Sequence, residues 1–198
     1  MALFLAAGKW IWDISNEAAA GSKFSGLSRA VVEAAENIER KLSKTMDLAV
    51  SQICLTREDA MKASTRLREL KPDLLIICSI VWTEDEPVLA ILEDLPDIPV
   101  VLWCYQTRQR PPSDIDMMDL FLLSGPVGAL QLSGLLKKMG RRYDVVFGHQ
   151  EDPQCVKGLD DYAVAARVAN DLRRVTIGLL PYRCPQMTGT YTDEFRLR

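Results

Sequence analysis

Short apolar runs recur along this chain without the polar residue at every second position that a half-solvated strand would carry. They lie at Leu3 to Ala7, Leu48 to Ile53, Leu74 to Ile80, Val100 to Cys104, Val145 to Phe147 and Val175 to Leu180. A strand that is apolar on both faces must be covered on both, the condition met in a parallel sheet with helices above and below. The segments between the runs supply those helices. Leu27, Val31, Ala34, Ile38 and Leu42 share one helical face, with Arg29, Glu33, Glu36 and Arg40 turned mainly away from it. Thr56 followed by Asp59 reads as a capping box opening a helix whose inner face holds Ala60, Ala63, Leu67 and Leu70. Leu132, Leu135, Leu136 and Met139 mark a third inner face, stopped by Gly140, and Tyr162, Ala166 and Ala169 a fourth.

The expectation is therefore an α/β fold with a parallel sheet and helices on both faces, Rossmann-like or flavodoxin-like, over residues 1–174. Residues 175–198 would be the first strand and loop of a second α/β domain whose chain continues past Arg198. Ligands of open α/β sheets bind beyond the carboxyl ends of the strands, so the loops after Ala7, Ile80, Cys104 and Leu180 are the places to look. Gln106 to Asp114, with Arg108, Arg110, Pro111 and Pro112, reads as an exposed loop after one of these strands.

Several functions are disfavoured at this level. No G-x-G-x-x-G follows the first run and no G-x-x-x-x-G-K-[ST] occurs, which argues against a dinucleotide or P-loop enzyme. With 27 acidic against 24 basic residues the chain has no basic field, so neither nucleic acid nor anionic lipid is an expected partner. The apolar opening at Met1 is too short to span a bilayer and lacks a basic region before it. Five cysteines without a C-x-x-C pair, three of them inside apolar runs, suit a reducing cytoplasm. The single histidine, His149, has Glu151 and Asp152 nearby, a cluster that also fits an ordinary solvated loop and makes a weak metal site.

Three segments can carry function. Ser124-Gly125-Pro126-Val127-Gly128 offers either backbone N–H groups at a helix start, suited to an anion, or a tight packing junction at Gly128. In Trp82-Thr83-Glu84-Asp85-Glu86-Pro87 a large aromatic at a strand end can stack on the apolar face of a sugar. There Thr83 would cap the following helix, and the acids would favour its positive end. Leu180 to Phe195 is too rich in breakers for a helix and reads as a functional loop.

These segments together resemble the L-fucose isomerase family, with its L-arabinose isomerase relatives, and most of all the L-fucose isomerase-like proteins. The resemblance rests on Trp10-Ile11-Trp12-Asp13-Ile14, Trp82 to Pro87, Pro99 to Trp103, Ser124 to Gln131, Ile177 to Arg183 and Met187 to Phe195, in that order and spacing. It implies the amino-terminal substrate-contact and assembly region of an aldose–ketose isomerase, a homo-oligomer acting on a monosaccharide with sites between subunits. It implies also a divalent ion, commonly manganese, held with the catalytic acids by a carboxyl-terminal domain, so this stretch would carry no catalytic residue and no metal ligand and would be inactive alone. Trp82 resembles the tryptophan lent to a neighbour's sugar site and Met187 the methionine lining the pocket in the arabinose branch; Arg183 lies in the same loop. The competing expectation is a stand-alone flavodoxin-like module that receives an anionic small molecule at Ser124 to Gly128 or at the Arg108 loop.

Overall fold

The computed structural model describes residues 1–19, 21–176, 178 and 186. Within them β1 (Ala2–Ala6), β2 (Ala49–Cys54), β3 (Leu75–Ser79), β4 (Val100–Tyr105) and β5 (Asp144–Gly148) form one sheet in the order β2-β1-β3-β4-β5. Every neighbouring pair is parallel. The connecting helices are α1 (Lys9–Glu17), α2 (Leu27–Leu42), α3 (Arg57–Glu69), α4 (Asp85–Asp94), α5 (Met117–Leu122), α6 (Gly125–Lys138) and α7 (Pro153–Leu172). This is the expected α/β architecture, with the flavodoxin-like strand order.

Alternation along each central strand feeds two cores. Leu3, Leu5, Ile76, Cys78, Val101 and Trp103 face α1, α2 and α7. Phe4, Ala6, Leu75, Ile77 and Leu102 face α3, α4 and α6. Both faces of β1, β3 and β4 are thus buried, which is why these strands are apolar throughout.

Local signals set some of the helix ends. Thr56 Oγ1 accepts from Asp59 N, while Asp59 Oδ2 accepts from Thr56 N at 3.1 Å and from Leu55 N at 3.1 Å, completing the anticipated capping box. Thr56→Ala is expected to lower unfolding free energy by about 1 kcal/mol, read from urea denaturation with an unchanged slope. Gly140, at φ +68°, ends α6 in the left-handed region as its position suggested.

Some expectations need correction. Leu70 and Met139 sit at helix C-caps and are exposed rather than inward. On α7 the buried positions are Cys155 and Leu159; Tyr162 and Ala166 are half-buried and Ala169 is exposed. The reason is length: a 20-residue helix runs about 30 Å, whereas the five residues of β5 run about 17 Å, so the second half of α7 overhangs the sheet. Of the expected second domain, which opens with the sixth apolar run, only Val175, Thr176, Gly178 and Gln186 are among the described residues.

Candidate functional site

β1 leads to β2 on one side and β3 leads to β4 on the other, so the crevice beyond the carboxyl ends of β1 and β3 is the topological switch point. The β1 end brings Gly8, Lys9 and Trp10 to it, and the β3 end brings Ile80 to Glu84. A Cβ on Gly8 would lie 2.5 Å from the Trp82 carbonyl oxygen, so only glycine lets the two loops approach this closely.

Trp82 is half-buried and meets Trp10 edge-on, with centroids 5.9 Å apart and planes at 61°. Trp10 meets Phe121 of α5 at 5.2 Å, and Phe121 meets Phe24 at 5.8 Å. The result is an aromatic row across the switch point, with Trp10 39% exposed. The Trp82 indole is held in place: Nε1 donates to Gln131 Oε1 at 2.9 Å, and Gln131 Nε2 donates to Asp85 Oδ1 at 2.7 Å. Its backbone N–H donates to Ser124 Oγ at 2.8 Å.

Thr83 and Glu84 depart from expectation. Thr83 is fully buried under α6 and does not cap α4, whose N-cap is Glu84, without a side-chain bond. The Glu84 carboxylate instead accepts from Lys9 N at 3.0 Å, placing its charge on the positive end of α1. Asp85 and Glu86 lie in the first turn of α4 as the sequence suggested. Ser124 to Gly128 forms a packing junction: a Cβ on Gly125 would lie 2.7 Å from the Ser79 and Tyr105 carbonyl oxygens, and one on Gly128 3.3 Å from Ser79 Cβ.

His149 follows β5. Its ring stacks on Tyr105 with planes 20° apart, and its Nδ1 accepts from Glu151 N at 3.1 Å. Burial lowers its pKa despite the opposing field of Glu151. Glu151 pairs with Lys41 at 2.7 Å, and Tyr105 Oη donates to buried Gln150 at 2.9 Å. In the preceding loop Arg108 is committed to Asp119 at 2.7 Å, and Asp119 also closes the capping box of α5 with Asp116.

Among the described residues no group of three or more His, Cys, Asp or Glu side chains is placed to hold a metal, so those residues do not fit a manganese site. Burial pushes the Cys54 thiol to about 12 and Cys155 to about 11, and raises Cys78 and Cys104, so none of these supplies a thiolate near neutral pH. Met117 to Lys138 is long and apolar enough by composition to cross a membrane. It is nevertheless two helices, and Gly128, Ala129, Leu132 and Leu136 are buried.

Of the sequence-derived site residues, Trp82 stands at the switch point, while Arg183 and Met187 lie outside the described residues. Trp10 and Gln131 touch it and Phe121 backs Trp10; Trp10 and Gln131 stood in segments the sequence singled out, without a role assigned to either, and Phe121 did not. No protein-family model and no curated protein matches this chain.

Proposed function

We propose that this chain is a sugar-contact and assembly domain of an aldose–ketose isomerase of the L-fucose isomerase-like kind, in which the divalent ion and the proton-moving carboxylates belong to another domain. The observation that carries the reading is the Trp82 indole, fixed through Gln131 and Asp85 beside the half-exposed Trp10 at the switch point. An indole held in one orientation, with an apolar face beside a polar edge, suits the C–H face of a pyranose and helps exclude water from it. Assembly is supported by Val145, left open on β5, a strand that has no second partner among the described residues. The two-domain reading draws support from handedness. α7 returns on the face of α2, so a strand laid directly after it on the free edge of β5 would need the rare left-handed crossover.

The purified chain is expected to show no isomerisation of L-fucose or L-arabinose with manganese present; metal-dependent turnover would overturn the placement of catalysis elsewhere. In the complete oligomeric enzyme Trp82→Ala should reduce kcat/KM by about ten- to a hundredfold, the effect of losing one stacking contact. Because Trp82 is half-buried, the same change should also cost about 1 to 3 kcal/mol of stability, whereas Trp82→Phe keeps an aromatic ring in place and loses the Gln131 bond with the smaller share of the ring area. Trp82→Phe therefore separates the roles. A folded Trp82→Ala variant with unchanged kcat/KM would refute the contact.

A further inference from the structure

A second cleft, of about 350 Å³, opens between the loop after β4 and the start of α7. Gln106, Gln109 and Arg110 line one side of it; Phe147, His149 and Asp152 line the other. Its size falls near the small end of ligand sites, roughly 300 to 1,000 Å³. It lies two strands from β3, about 10 Å across the sheet, and shares no side chain with the Trp82 site.

We propose that this cleft binds a monosaccharide. Phe147 leaves 57% of its surface open, an aromatic ring exposed beside polar groups and able to stack on a sugar's C–H face. The polar wall mixes roles as hydroxyl groups require, since each hydroxyl both donates and accepts. Arg110 has five donors and no ion pair or hydrogen bond among the described residues. Gln106 and Gln109 donate and accept, and the Asp152 carboxylate only accepts. His149, with Nδ1 already accepting from Glu151 N, is left with Nε2–H as its free donor when neutral. A phosphate would meet the Asp152 carboxylate, and a wholly apolar ligand would leave this wall unpaired.

The floor of the cleft is built in advance. Tyr105 and Glu151 N set the His149 ring, and Asp152 Oδ1 is held by Gln154 N at 2.9 Å. Trp103 Nε1 donates to the Gly148 carbonyl at 3.0 Å. Gly148 has φ +129°, and a Cβ there would meet Cys155 Cβ at 3.0 Å and Asp152 Oδ2 at 3.1 Å. The side facing it presents Gln109 and Arg110, both exposed. The proposal shares the sugar class with the reading of Trp82 but none of its residues, so each fails separately.

His149 is the one histidine in the sequence, so its imidazole proton resonances need no assignment. The purified chain is titrated with L-fucose and L-arabinose and, at matched ionic strength, with inorganic phosphate. At least one sugar should move the His149 resonances saturably. Phe147→Ala and Arg110→Ala, both at exposed positions, should each weaken that midpoint about fivefold or more with the melting temperature held. A shift that stays linear in sugar, ignores both substitutions, or saturates with phosphate alone would overturn the proposal. So would its loss in Trp82→Phe, which would assign the sugar to the switch point and leave the Trp82 reading standing.

Discussion

Trp103→Ala is expected to lower the unfolding free energy by about 3 to 5 kcal/mol, roughly a fifth or more of what a domain commonly has. Trp103 sits on β4, has no exposed surface, and packs edge-on against Tyr105 at 5.2 Å and 80°. Truncation removes that packing and leaves a cavity between the sheet and α7. It also strips the buried Gly148 carbonyl of the Trp103 Nε1–H donor. Trp103→Phe fills most of the space but leaves the carbonyl without that donor, so it should lose less, about 1 to 3 kcal/mol. Urea denaturation of both variants checks the order. A loss below about 1 kcal/mol for Trp103→Ala would show that the residue is not packed as described. Because Gly148 begins the loop that carries His149, the histidine resonances should shift in both variants even without ligand.

The strands were legible because burial on both faces leaves a compositional trace that survives without knowing the neighbours. β1, β3 and β4 show it fully. β5 shows it deceptively: Val145 and Phe147 are apolar yet open, since no helix among the described residues covers that face of the edge strand. α1 buries only Ile11 and Ser15, too few positions for a periodic signal. α5 is a six-residue helix, too short for a periodic signal, and the capping box between Asp116 and Asp119 that opens it emerges only in the structure.

The site was legible where chemistry is local and hidden where it is not. Trp82 stands out as an aromatic at a strand end, but its partner Gln131 is reached only when α6 docks on β3 and β4. Glu84 reads as an acid for the helix that follows it, yet its carboxylate accepts from the first residue of α1, a helix entering from the neighbouring strand. The two halves of the second cleft were each visible as polar loops, Gln106 to Asp114 and His149 to Asp152. What the chain order does not display is that β4 and β5 pair, Tyr105 beside Gly148, and bring those loops face to face.

The docking of α6 is therefore what completes the switch-point site, and two glycines of that one helix test it with opposite signs. A Cβ on Gly125 would stand 2.7 Å from the carbonyl oxygens of Ser79 and Tyr105 and 3.1 Å from that of Ile80. These are backbone atoms at the ends of β3 and β4, whose strands are paired to each other, so they cannot retreat as a flexible side chain would. The helix must lift instead, loosening Ala129, Leu132 and Leu136 from their burial. Gly125→Ala should thus cost about 3 kcal/mol, the upper end for overpacking. It should also loosen the bonds from Trp82 N to Ser124 and from Trp82 Nε1 to Gln131, so the tryptophan emission should change. Gly134, two turns along, has nothing within 4 Å of where a Cβ would be. There alanine only improves helix propensity, and Gly134→Ala should stabilise the protein by about 1 kcal/mol. Equal effects of the two substitutions in urea denaturation would mean that α6 does not sit on the strand ends. The fixed indole at the switch point would then lose its support.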